Sequence, residues 1–220
     1  MSEGDAAELK TEYFKFCKAF TSRMIQILVQ SRMGEPINQS CLAKPDSSDW
    51  FNIRIDEYGE IAAYLRANIL KYPPLIPAFT LDFLLYTAEK NILPLESCNV
   101  DPLTKNARTI NNTQLYHQLG TLLKSIVIAA RITPLFRYYV RKQCSETFVI
   151  LYRVSFEPDL DLGQDRTELC IGCYPSPYGQ LSVDLLFRTR MEIIPYVLLI
   201  LPAFLICNNN NILKLIVWLL

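Results

Sequence analysis

Between residues 113 and 132 the side chains Leu115, Leu119, Leu122, Leu123, Ile126 and Ala130 recur at steps that place them on one face of an α-helix. A helix with one apolar face has to bury it against another element. Asn112 or Thr113 is suited to cap its start, Thr133-Pro134 breaks it, and Pro134 can open a short continuation to residue 142. The pattern then changes period. Residues 147–156 (TFVILYRVSF) are rich in β-branched and aromatic side chains. Residues 167–174 and 180–190 follow as two further strands, joined at 175–179 by a turn that carries proline and glycine.

Upstream, the same reading gives a first helix with Leu9, Tyr13, Phe16, Phe20, Met24, Ile27 and Leu28 inward and Lys10, Lys15, Lys18 and Arg23 mostly between them, ended by Gly34 and Pro36. Residues 39–48 read as a polar loop. Residues 50–55 (WFNIRI) alternate as a short strand, and Asp56 is placed to cap a second helix over 57–70 with Ile61, Leu65 and Ile69 inward. Tyr72-Pro73-Pro74 stops that helix. Residues 79–86 alternate again, with 92–100 as a hairpin partner weakened by Pro94, and 101–112 as a polar connection. The order helix, strand, helix, two strands, helix, three strands predicts an α+β fold: three main helices packed on a mostly antiparallel sheet. It lacks the regular β-α-β alternation of a nucleotide-binding sheet.

The charges exclude one broad class. Lys plus Arg is 22 and Asp plus Glu is 22, so there is no global positive field to attract nucleic acid, and any anion site has to be local. The seven cysteines are odd in number and scattered, which reads as reduced thiols with no disulfide framework and a cytoplasmic setting.

Chemistry-bearing motifs are sparse. There is no P-loop, GxGxxG or HExxH, and no cofactor is implied. The single histidine, His117, reads as a helix-surface residue rather than a catalytic base. Cys170 and Cys173 match CxxC, but a zinc site needs a second ligand pair, and residues three apart on a regular strand point to opposite faces. Asp159 and Asp161, like Asp46 and Asp49, read as solvated loop carboxylates, not a glycosidase-like pair. The informative group is basic: Lys124, Arg131, Arg137, Arg141 and Lys142. Positions 124 and 131 share one helical face, and 137 and 141 can share another. Guanidiniums converging at a helix end could bind a phosphate or a partner's carboxylates.

Several runs resemble the HORMA domains of the autophagy-related protein 13 family. They are residues 48–53 (SDWFNI), the stretch from Leu122-Leu123-Lys124-Ser125 to Arg131-Ile132-Thr133-Pro134, and Arg141-Lys142-Gln143 leading into Val149-Ile150-Leu151-Tyr152-Arg153. Residues 27–34 (ILVQSRMG) and the final hairpin are similar too, so the likeness spans about residues 8–190. The resemblance implies a HORMA-like fold with a C-terminal hairpin region like the safety belt of that fold. It implies a non-enzymatic adaptor that pairs with a second HORMA protein, autophagy-related protein 101. It also implies recruitment of autophagy-related protein 9, service to a ULK-type serine/threonine kinase complex, and recruitment to the phagophore assembly site. Arg131 and Arg137 match the family's phosphate-sensing arginines on either side of the threonine-proline pair.

The expected organisation is a HORMA domain over 1–190 and a distinct apolar tail over 191–220. Residues 193–213 carry no charge, are interrupted by Pro195 and Pro202, and run into four asparagines at 208–211. The apolar stretch is shorter than a membrane-spanning helix. It fits a nonnative end, a hydrophobic anchor or interfacial segment, or a segment packed on the domain. Family members instead continue into a long disordered tail that carries the kinase contacts, so direct kinase contact is not expected of this chain. Two other functions compete with the adaptor: a peptide-capturing HORMA role at a checkpoint or chromosome axis, and a small membrane-anchored protein that uses the tail.

Overall fold

The computed structural model describes residues 3–33, 39–41, 50–76, 78–103, 111–143, 147–176 and 179–190. The expectations for Gly34, Pro36, Asp46, Asp49, Pro177, Tyr178 and the tail 191–220 lie outside the described residues. Three helices dominate: α1 (Glu3–Arg32), α2 (Gly59–Asn68) and α3 (Asn112–Ile132), with a short α4 (Pro134–Tyr138) and a 3-10 turn Val140–Lys142 after α3. Strands β1 (Gln39–Cys41) and β2 (Ile53–Ile55) pair antiparallel, which places a strand at the start of the expected polar loop. The main sheet has five strands, β3 (Phe79–Thr87), β4 (Ile92–Leu103), β5 (Phe148–Ser155), β6 (Arg166–Ser176) and β7 (Gly179–Arg188). Their order is β5-β3-β4-β7-β6, and every pairing is antiparallel.

The register sorts the side chains into two faces. Phe79, Leu81, Phe83 and Leu85 of β3 share a face with Cys98 and Val100 of β4, Tyr152 and Val154 of β5, and Val183 and Leu185 of β7. All are buried, and they form one core with α1 and α3. Close approach decides one position. A Cβ on Gly172 of β6 would come 2.8 Å from Leu122 Cδ1 of α3, so glycine lets this edge strand lie against the helix.

The first helix departs from the expected amphipathic pattern. From Phe20 to Arg32 all side chains but Ser22 are buried, including Arg23, Gln26, Gln30 and Arg32. Burial of polar groups requires partners, and for Arg23, Gln26 and Gln30 those include backbone atoms of the segment around β2. Arg23 donates to the Ile53 carbonyl at 3.3 Å, and Gln26 both donates to the Tyr58 carbonyl and accepts from Tyr58 N–H. The Gln30 amide donates to the Asp56 carbonyl. Those bonds occupy the stretch expected to be the second helix's first turn. The helix accordingly starts at Gly59 after an extended Tyr58, and Asp56 does not cap it.

Residues Trp50–Asn52 form a turn, not the first half of a strand. Phe51 and Asn52 have φ of 61° and 56°, in the left-handed region that side chains avoid. Tyr116 of α3 holds this shape. Its hydroxyl accepts from Phe51 N–H at 2.5 Å and its ring lies 4.9 Å from the Phe51 ring. Pro94, expected to weaken a hairpin strand, sits in the central strand β4. The register slips there between Phe83 and Leu84, and the Pro94 carbonyl accepts from Arg188 Nε at 3.2 Å.

Residues 156–165 connect β5 on one edge to β6 on the other, and they run across the face opposite the helices. Arg153 of β5 clamps buried Asp82 of β3 through two bonds of 2.8 and 2.9 Å, and it reaches Asp159 of the connection at 2.7 Å. Leu162 is fully buried, and Thr189 N–H closes the far end on the Asp165 carbonyl at 2.8 Å.

Removing one member of a buried ion pair leaves the other charge uncompensated. Arg32→Ala, which orphans Glu96 (described below), is therefore expected to destabilise the domain by about 3–5 kcal/mol. Arg32→Met with Glu96→Leu should recover most of that loss. Urea melts of the three proteins test both statements. Burial raises the Asp82 carboxyl above its ordinary range, against the lowering effect of Ser97 and Arg153. A raised folded-state pKa contributes stability that is present in acid and is lost as pH rises through it. Acidification from neutral pH towards the ordinary carboxylate range should therefore add stability in the parent and add less in Asp82→Asn, as read by melts across that window.

Candidate functional site

The site is built where α3 ends. Asn111 caps its start, its side chain accepting from Gln114 N–H at 2.7 Å, one residue earlier than expected. At the other end Thr133 is extended and fully buried, and its hydroxyl accepts from Phe136 N–H at 3.4 Å to cap α4, with Pro134 in first position. The chain bends by 48° between α3 and the segment Pro134–Lys142.

The inner side of this bend is satisfied by Arg32. One guanidinium nitrogen donates to the Ala130 carbonyl in the last turn of α3 at 2.5 Å and to Ser31 Oγ at 3.0 Å. The other reaches Glu96 of β4 at 2.5 Å and Thr133 Oγ1 at 3.2 Å. The group also lies over the Phe83 ring, 5.4 Å from its centroid. The Gln143 amide donates to the Arg32 carbonyl at 2.8 Å and accepts from Ile150 N–H at 3.4 Å, which ties the bend to β5.

The outer side is left open. Lys124, Arg131, Arg137, Arg141 and Lys142 are all exposed, and none makes a side-chain hydrogen bond or ion pair among the described residues. Arg131 stands in the last turn of α3, Arg137 in α4, and Arg141 and Lys142 in the 3-10 turn. Lys124 lies two turns before Arg131, about 10 Å along the axis. The five cations thus form an extended strip around the bend and not one tight cluster. Sequence reasoning missed the apolar residues between them. Ile128 is 65% exposed, Ile132 50% and Tyr138 54%. Lys124, Ile128 and Ile132 follow one another at four-residue steps, so a basic stripe and an apolar stripe coincide on one helix face. The signal was present, because Ile128 lies opposite Ile126 on a helical wheel.

The other candidate residues take different places. His117 is exposed, its ring 6.2 Å from Tyr116. It lines an open groove of about 540 Å³ with Asn111, Gln114, Gln118, Thr121 and Tyr174. Asp161 accepts from Gly163 N–H at 2.8 Å, a turn role, while Asp159 belongs to the Arg153 clamp. The expectation that Cys170 and Cys173 face opposite ways fails. A bulge between Cys170 and Gly172 pairs Cys170 with Asp184 and Cys173 with Ser182, which puts both thiols on the same face of β6. No group of three or more metal-ligating side chains occurs among the described residues.

No family model matches the sequence. The chain is 45% identical over 183 residues to the autophagy-related protein 13 homolog of Caenorhabditis elegans, covering 82% of this chain and 41% of that protein. It is 31% identical over 181 residues to autophagy-related protein 13 of Mus musculus, covering 80% and 35%. The chain therefore spans about two fifths or less of the length of these relatives. Among solved structures, a chain of the mitotic checkpoint complex aligns with a TM-score of 0.52 at 10% identity, over 80% of this chain and 98% of that one. The solved Atg13 HORMA domain aligns with a TM-score of 0.51 at 10% identity, over 82% and 95%. Helices on a five-stranded antiparallel sheet, closed by an end-to-end crossover, make this an α+β domain of the HORMA fold. Within that fold, the chain belongs to the autophagy-related protein 13 family.

Because the strip makes no side-chain bonds among the described residues, Arg131→Glu with Arg137→Glu should leave stability within about 0.5 kcal/mol of the parent per site. Thr133→Ala, which removes a buried cap, should cost about 1 kcal/mol or more. Thermal melts of the two variants check the contrast.

Proposed function

We propose that this chain is a non-enzymatic adaptor of the autophagy-initiation kinase complex. Its domain pairs with a second HORMA protein, autophagy-related protein 101, and helps bring autophagy-related protein 9 to the phagophore assembly site from the cytoplasm. The observation that carries the reading is the 45% identity to the Caenorhabditis elegans autophagy-related protein 13 homolog across 82% of the chain. The strip on α3 and α4 supports it as a docking surface. Exposed isoleucines supply apolar contact area at the centre, and exposed arginines around them select an acidic or phosphorylated surface. Arg131 and Arg137 are the residues assigned to that selection, with Lys124, Arg141 and Lys142 as electrostatic neighbours.

Co-purification of the chain with autophagy-related protein 101, followed by a mass determination, tests the pairing. A one-to-one complex is expected, and a folded chain that ignores this partner would sink the reading. Arg131→Glu with Arg137→Glu should weaken binding to an acidic or phosphorylated partner by about tenfold or more, mainly through loss of charge complementarity. Unchanged affinity at both low and physiological salt would remove the two arginines from the interface.

A further inference from the structure

The exposed cysteines of β6 are untouched by the adaptor reading. On a regular strand, residues three apart are about 10 Å apart and face opposite ways. Here Ile171 is the extra residue of a bulge, and Cys170 and Cys173 stand opposite Asp184 and Ser182, which are neighbours on one face of β7. That register spacing is about 6.6 Å, at the upper end of the roughly 4–7 Å between Cα atoms that a disulfide bridges, and closure requires the bulge to draw the two Cβ atoms in to about 4 Å. Both cysteines are free and exposed, and β6 is an edge strand, so a solute can reach them.

We propose that Cys170 and Cys173 are a dithiol modification site that closes reversibly to an internal disulfide by exchange with a small disulfide of the glutathione class. The neighbours set the order of events. The Cys170 thiol donates to the Asp184 carboxylate, which with partial burial and the nearby Cys173 pushes it up to about 11. Cys173 instead meets the side-chain amide of Gln180, which donates to its sulfur. Cys173 thiolate attacks one sulfur of the glutathione disulfide, breaks that S–S bond and releases one glutathione thiolate. Cys170 then gives its proton to the released glutathione thiolate and attacks the Cys173 sulfur, releasing the second glutathione as its thiolate. The two protein thiols lose two electrons and the glutathione disulfide gains them. Cys17 and Cys98 do not compete, because both are buried and burial raises both thiols, Cys17 to about 12. The closed ring would staple the bulge that seats Gly172 against Leu122 of α3.

Trypsin cuts after Arg166 and Arg188, so the fragment 167–188 contains these two cysteines and no other. The full chain, equilibrated with oxidised and reduced glutathione and quenched in acid, should yield this fragment lighter by two hydrogen atoms. Excess reduced glutathione should restore the original mass. Cys170→Ser should show only a glutathione adduct, and Cys173→Ser, which removes the attacking sulfur, should stay largely reduced. Closure should be at least about tenfold faster in the folded chain than in urea, because the bulge holds both thiols on one face of β6. A fragment that carries glutathione on both cysteines, one that stays reduced, or equal closure rates folded and unfolded would each overturn the proposal.

Discussion

One buried guanidinium holds the helical layer to the sheet. Arg32 ends α1, and from there it reaches the last turn of α3 at Ala130, the cap of α4 at Thr133, and Glu96 on the central strand β4. Two charges taken out of water gain little by pairing alone. The site works because each terminal nitrogen of the fork finds two oxygens and the flat face lies on Phe83, while Nε and one Glu96 oxygen are left without a hydrogen bond among the described residues. Such a residue does more for uniqueness than for raw stability. Directional bonds from one group to α3, α4 and β4 constrain the helix layer against the sheet more narrowly than an apolar contact of the same size would.

This also explains which parts of the fold were legible in the sequence. Residues 113–132 read correctly as a helix because its apolar face and its polar face are distinct. The strands at 79–86, 147–156 and the final hairpin read correctly because β-branched and aromatic runs are bounded by turns. α1 was legible as a helix but not as a central one. Its arginines and glutamines suggest a wet face, and only the structure shows that they bond the backbone carbonyls at Ile53, Asp56 and Tyr58. The same bonds shift the start of α2, and Tyr116 bends Trp50–Asn52 away from a strand. Each of these misses is a contact between residues far apart in the chain, which local periodicity cannot report.

The candidate site divides the same way. Lys124, Arg131, Arg137, Arg141 and Lys142 were visible as a basic group, and the structure leaves them exposed and without an ion pair among the described residues. Ile128, Ile132 and Tyr138 were visible in principle, on the wrong side of the helix for the core, but a helical wheel alone does not say whether another layer covers them. The two cysteines were misread because a bulge shifts side-chain alternation by one. A bulge has no signature in Cys-Ile-Gly-Cys beyond the glycine, and that glycine has its own reason in the contact with Leu122.

The internal and external roles of the bend are linked. A helix C-terminus presents carbonyls that attract cations, and a surface arginine in the last turn ordinarily spends its charge there. In this domain Arg32 takes the Ala130 carbonyl from inside, and Thr133 caps the next turn. Arg131 is exposed in that last turn, as are Arg137 and Arg141 beyond the bend. A surface whose cations are not needed by the fold can be recruited, modified or screened without unfolding the domain. That separation between a self-sufficient buried network and an unoccupied outer strip is the physical basis for reading this face as a docking surface and not as part of the scaffold.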